Sequence, residues 1–271
     1  MANVKKSNDS GSGVGGMMTG IIIVGCILVG WFIWKFIMGA SSNFVGGNNE
    51  GEALPGNYLA MVYKGGSIVP VLLGCFLMVI VFSVERFMVI GKASGKESID
   101  TFMKKVQGNI ATNDITAAID NCDKQKGSVA NAIKAALLKH NEVKKEGLDS
   151  EAAAESISKE IEEATSLEMP MLEKHMTILS TLVSLGTLAG LLGTVTGMIK
   201  AFGALASTGT PDQAALASGI SEALINTATG ISTSALAIVM YNFFTSKIDT
   251  LTYSIDEAGS AIVKTYRRFK N

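Results

Sequence analysis

Charged side chains are scarce in this chain. Asp, Glu, Lys and Arg make up 17% of its 271 residues, while apolar types make up 48%. A soluble domain carries roughly 25% charged residues, so the deficit points to lipid as part of the solvent. The charges nearly cancel, at a net −1, and leave no overall electrostatic case for nucleic acid as a partner. Proline is rare, at 4, whereas glycine reaches 29; that balance fits close-packed membrane helices better than disordered linkers. The three cysteines, Cys26, Cys75 and Cys122, have neither metal spacing nor the layout of a disulfide framework, and read as small packing residues. The two histidines, His140 and His175, stand alone in sequence and outline no metal or catalytic site. No Ser/His/Asp set or nucleophile elbow is visible. The glycine-rich run Gly190–Gly197 lacks the G-K-[ST] ending of a phosphate loop and follows no strand. Nothing supports an enzyme, and no cofactor is expected.

What is there instead is a set of long apolar runs. A hydrocarbon core of about 30 Å takes roughly 20 helical residues to cross. Four segments meet that length: 17–39, 67–90, 176–205 and 214–246. The first exceeds the roughly 7–15 residues of a signal-peptide core and has no clear cleavage site after it, so it reads as an anchor. The remaining sections are a tail (1–16), a Gly/Asn/Ser-rich external loop of low order (40–66), a helical domain (91–175), an external turn (206–213) and a C-terminal helix (247–271). Residues 91–175 hold twelve lysines, and the tail adds Lys264, Arg267, Arg268 and Lys270. An even number of spans with this bias puts both termini and the middle domain in the cytoplasm. Within that domain Ser128 and Asp149 are expected N-caps of amphipathic helices. The Glu-rich run from Glu151 is expected to pass through Pro170 and His175 straight into the third span. Glu85 and Arg86, at the cytoplasmic end of the second, are expected to reach the headgroups.

The last two spans are too polar to face lipid all round. In the third, Gly186, Gly190, Gly193 and Gly197 share one narrow helical stripe, which lets another backbone approach closely. Beside it runs a hydroxyl row of Ser180, Ser184, Thr187 and Thr194. In the fourth, Glu222, Asn226, Thr229 and Thr233 follow an i, i+4, i+7, i+11 spacing, with Thr227, Gly230 and Ser234 alongside. At about 1.5 Å per residue, Glu222 falls roughly 12 Å inside the span. A carboxylate in hydrocarbon costs several kcal/mol and should face protein or water. Such stripes can act as interhelical glue, worth about a kcal/mol per bond. Both stripes and Glu222 together favour a water- or ion-lined path. No acid lies near mid-span, so either water and threonine hydroxyls finish the path or a partner helix supplies one.

At these residues the chain resembles a known family. Gly190-Leu-Leu-Gly-Thr-Val-Thr-Gly-Met-Ile-Lys-Ala-Phe202 looks like the signature of the MotA/TolQ/ExbB proton-channel family. Gly219-Ile-Ser-Glu-Ala-Leu-Ile-Asn-Thr-Ala-Thr-Gly230, with Tyr241-Asn242 after it, looks like the ExbB/TolQ branch. The resemblance implies an all-α membrane protein in a bacterial inner membrane. Its copies, expected to form a pentamer, would surround the helices of an ExbD- or TolR-type single-span partner that brings a membrane aspartate. Proton flow would then drive a TonB- or TolA-type transducer in the envelope. By motif position Thr194 and Thr227 match the family's pore-facing threonines and Glu222 its intramembrane glutamate; Asn226, Thr229, Thr233 and Thr187 extend the expected pathway. Two departures stand out. The 17–39 span is additional to the three usual in ExbB and TolQ, and four spans is the flagellar-stator layout. The proline common in the last family helix is replaced near Leu236 by Ser-Ala-Leu-Ala. Two other readings are a stator subunit of a rotary or gliding motor and a non-conducting membrane scaffold.

Overall fold

The computed structural model describes residues 11–49, 51–207 and 213–270; most of the expected tail 1–16 and turn 206–213 lies outside them. Helices dominate: α1 (Gly11–Phe32), α2 (Tyr58–Tyr63), α3 (Val69–Ser94), α4 (Ile99–Ala111), α5 (Ile115–Gln125), α6 (Ser128–Glu146), α7 (Ser150–Glu173), α8 (Met176–Ser207) and α9 (Gln213–Lys270). Among the described residues four helical stretches are long and apolar enough to cross a membrane, within 16–38, 66–111, 150–206 and 213–269. The chain divides into two compact units. One comprises residues 1–82 and 178–239, the other residues 83–177 and 240–271. The expected elements 214–246 and 247–271 are one uninterrupted helix, α9. Without a proline at 234–237 nothing removes a backbone donor there.

In the first unit α1 widens into a π-helical turn, Ile33–Met38. It crosses α3 at glycines: a Cβ on Gly30 would stand 2.7 Å from Gly74 N, and one on Gly74 would stand 2.9 Å from Ile27 Cα. The loop over 40–66 is more ordered than its composition suggests, because its asparagines Asn43 and Asn57 act as caps. Asn43 Nδ2 donates to Ile37 O (2.7 Å) and Met38 O (3.0 Å) at the open end of the π turn. Asn57 caps α2 by accepting from Leu59 N and Ala60 N, and its own amide donates to Asn43 Oδ1 at 3.0 Å. An isolated β-bridge pairs Phe44 with Ala53. Trp34 stacks on Tyr63 at 4.8 Å and donates its indole N–H to Tyr63 O.

The second unit gathers α4 to α7 and the distal half of α9. Ser98, Asp114 and Asp149 cap α4, α5 and α7 through side-chain oxygens. Ser128, expected as a cap, is instead the first residue of α6 and is buried, with an Oγ that makes no hydrogen bond. Gly127 takes the cap position at φ +88, where a Cβ would stand 2.5 Å from Ala93 O. Only glycine fits there. The distal half of α9 contributes Phe244, Ile248, Leu251, Ile255, Ala258 and Ile262, all buried at alternating four- and three-residue steps.

The α7–α8 junction corrects two expectations. The helix does not run through His175: it breaks at Lys174 (ψ 134) and His175 (φ +66). Arg86 does not reach for headgroups, being 1% exposed. Its Nη1 donates to Met171 O (3.0 Å) and Leu172 O (3.1 Å), two of the carbonyls left open at the end of α7. Nε and Nη2 fork onto Glu85, and Glu85 Oε2 lies 3.1 Å from His175 Nδ1. His175 is therefore not alone. A buried guanidinium with five donors holds the helix end where the chain turns.

Two outcomes follow for this unit. Arg86→Met leaves two carbonyls unpaired and Glu85 with His175 alone, and is expected to cost about 3–5 kcal/mol, read as an earlier denaturant midpoint of the full chain in detergent. His140 is buried and packs edge-on against the Tyr266 ring. Burial pushes its imidazole below the ordinary range; the Asn141 hydrogen bond opposes this, and the Lys144 charge adds to it. The folded state thus favours neutral His140, so the unfolded state binds the extra proton. Stability is complete above about pH 6.5 and falls as pH drops below it. A melting series should lose part of that acid sensitivity in His140→Gln.

Candidate functional site

The expected site residues lie in the first unit, where α8 and α9 run against each other. The four stripe glycines form the seam. A Cβ on Gly186 would stand 3.1 Å from Gly230 O, and one on Gly190 would stand 3.0 Å from Asn226 O. At Gly193 it would meet Asn226 Cγ at 2.6 Å, and at Gly197 Gly219 O at 2.8 Å. From α9, a Cβ on Gly230 would come within 2.5 Å of Gly186 O. Backbone meets backbone at Gly190, Gly197 and Gly230, and the Asn226 side chain fills the space at Gly193, the close approach that small residues permit in membrane helices.

That approach brings hydroxyls together. Thr194 Oγ1 and Thr227 Oγ1 are 3.0 Å apart. Each also reaches the carbonyl four residues back on its own helix: Gly190 O for Thr194 and Ala223 O for Thr227, both at 3.2 Å. Two hydroxyls carry two protons, and three bonds compete for them. The pair can therefore be polarised in either direction. Further along, Thr187 donates to Ser234 Oγ at 2.9 Å.

The stripe of the fourth span does not act as one surface. Thr229 and Thr233 donate back to Ile225 O (2.8 Å) and Thr229 O (2.9 Å), as single hydroxyls in helices do. Asn226 and Thr233, expected along a pathway, are 0% exposed within this single chain. The glycine seam brings α8 so close that both are enclosed. Asn226 Nδ2 donates to Gly65 O at 2.8 Å, while its Oδ1 is buried and accepts no hydrogen bond. Thr194, with Val195, Met198, Ile199, Phe202 and Gly203, lines a shallow, largely apolar groove along α8.

Glu222 has a partner that the reading from sequence missed. Lys200 Nζ lies 2.5 Å from Glu222 Oε1, and the glutamate side chain is 13% exposed. The carboxylate rests on the turn before α3: Gly66 has φ +80, and a Cβ there would stand 2.8 Å from Glu222 Cδ. Gly65 and Gly66 were likewise not singled out. The signal for Lys200 was present, since it is the one charged residue in α8.

Gly193→Val is expected to destabilise the chain by about 1–3 kcal/mol, the usual cost of overpacking, because Asn226 fills the space a side chain needs. Gly203→Val, where a Cβ meets nothing within 4 Å, should leave the thermal midpoint in detergent unchanged.

Comparison with known proteins bears on the same residues. The profile of the MotA/TolQ/ExbB proton channel family matches residues 118–257, just over half of the chain. A TolQ protein of the Tol-Pal system in Pseudomonas aeruginosa is 29% identical over 58% of this chain and 69% of its own length. An ExbB-like biopolymer transport protein of Synechocystis is 33% identical over 40% of this chain, and ExbB of Pseudomonas putida is 24% identical over 59%. The match spans about half the length of these last two relatives, 53% and 50%. With its four apolar helices the chain is a multi-pass membrane protein. It is a member of the MotA/TolQ/ExbB proton channel family.

Proposed function

We propose that this chain is an ExbB/TolQ-like subunit of a proton-driven motor in a bacterial inner membrane, with both termini cytoplasmic. Several copies, a pentamer in this reading, enclose a path lined by the α8–α9 pair. A single-span partner of the ExbD/TolR type contributes the mid-membrane acid that this chain lacks, and a TonB- or TolA-type transducer takes up the motion. The transported ion is the proton. The chain conducts and uses no catalytic step or cofactor of its own.

The observation that carries the reading is the Thr194–Thr227 hydroxyl pair, 3.0 Å apart. Both hydroxyls are at once donors and acceptors, so a proton arriving on one side can be matched by one leaving on the other without either threonine becoming charged. The apolar groove beside Thr194 suits a partner helix whose carboxyl group needs polar company at that depth. A second reading, a stator subunit of a rotary motor, draws on the four candidate spans.

The test is proton flux. The complex, isolated with the partners that co-purify from native membranes, is placed in vesicles containing a pH-sensitive dye. Thr194→Val with Thr227→Val is expected to reduce flux at least about tenfold, the order expected when a proton-relay step is lost. The Ser variants should keep most of it. Undiminished flux in the double valine variant, with assembly intact, overturns the proposal.

A further inference from the structure

Where they run against each other, the two paired helices are nearly free of charge. α8 carries one charged residue, Lys200, and α9 carries one before Lys247, Glu222. They meet at 2.5 Å. Two single charges placed by chance on long apolar helices have no reason to coincide. Their burial is unequal: the lysine side chain is 56% exposed and the glutamate 13%. The carboxylate is the enclosed member, and the ammonium reaches in from the open side on a flexible stem.

The carboxylate has a second contact that fixes where it sits. It lies against Gly66, which adopts φ +80. Next to it, Gly65 O accepts from Asn226 Nδ2, one helical turn along α9. A Cβ on Gly65 would stand 2.5 Å from Val69 Cγ2 and 2.8 Å from Ile225 Cγ2, so the turn has no room to shift toward α9. Gly66, having no side chain, meets Glu222 with backbone only. The nearest charge on that side in sequence, Lys64, lies over the Phe44 ring at 5.7 Å.

We propose that Lys200 is the counter-ion that holds Glu222 as a carboxylate seated on the Gly65–Gly66 turn, so that Glu222 takes up a proton only when this ion pair opens. Lys200 is thus a positioning residue for the conduction proposed above, on which its functional meaning rests. Protonation adds one proton to a Glu222 oxygen and removes the negative charge that attracts the ammonium. Lys200 stays protonated and is released toward its exposed side, and the turn loses one of its two fastenings to α9. Return of the proton to water restores the pair.

The experiment separates the pair from the channel. Infrared spectra of the full chain in lipid are recorded across pH, and the carboxylic C=O band of Glu222 is identified as the one missing in Glu222→Gln. In Lys200→Met the midpoint at which this band appears is expected to rise by about one pH unit or more, the effect of losing an opposite charge at contact distance. Lys200→Arg should keep the midpoint of the unaltered chain. If Lys200→Met fails to assemble, Lys200→Gln gives the same reading with a polar side chain. A midpoint unmoved by loss of the lysine charge overturns the proposal. Flux in vesicles is the second measurement. A pH profile that shifts with the band supports a conducting role for the pair. A shifted band in a chain whose complex carries no protons leaves the ion pair standing and refutes conduction instead.

Discussion

The contact between the backbones of α8 and α9 is the constraint on which the rest of the first unit depends. Lipid offers no hydrophobic drive for two apolar helices to pair, so they associate through close packing and polar contacts. Four glycines on one face of α8 and two on α9 remove the side chains that would hold the helices apart. Only at that distance do short side chains reach across. A threonine hydroxyl extends little beyond its Cβ, and the 3.0 Å between Thr194 and Thr227 exists because the glycines around it add no bulk. The arrangement has a cost, since glycine in a helix interior gives up about 1 kcal/mol relative to alanine.

Both units solve the same problem, that of polar groups away from water, by different routes. In the first, hydroxyls fold back onto carbonyls of their own helix, and the largely enclosed Glu222 carboxylate is matched by the one cation of α8. In the second, Arg86 ends α7 by taking up carbonyls that the helix cannot satisfy itself. A desolvated guanidinium is tolerated because Glu85 and the two carbonyls together occupy four of its five donors. That interaction also explains why α7 stops and α8 begins anew, despite a sequence that carries helical residues across the junction.

Much of the architecture was legible. Long apolar runs declare spans because their length is set by the hydrocarbon thickness, and α8 and α9 contain the expected segments 176–205 and 214–246. The glycine stripe was legible because a helix places positions three and four apart on one face whatever surrounds it. Asp149 could be read as a cap because its role is local. The low-order reading of 40–66 failed for Asn43 and Asn57. Composition treats asparagine as a loop residue, and only the fold supplies the helix ends that it caps. Ser128 failed because Gly127 had to approach the Ala93 carbonyl more closely than a side chain allows.

The amino-acid sequence alone determined which helices are long and apolar enough to cross a membrane, which face of α8 another backbone can approach, and that Glu222 needs company. These follow from periodicity and from the cost of exposing a carboxylate to hydrocarbon, and both act along a single helix. Which group keeps Glu222 company was decided by tertiary structure. Lys200 is 22 residues away and Gly66 far more distant in the chain, and no local rule relates them. Asn226 and Thr233 were settled in the same way, because a helical wheel assigns a face but not what covers it. Enclosure requires a second helix at a particular distance and rotation, and only the packed chain supplies both.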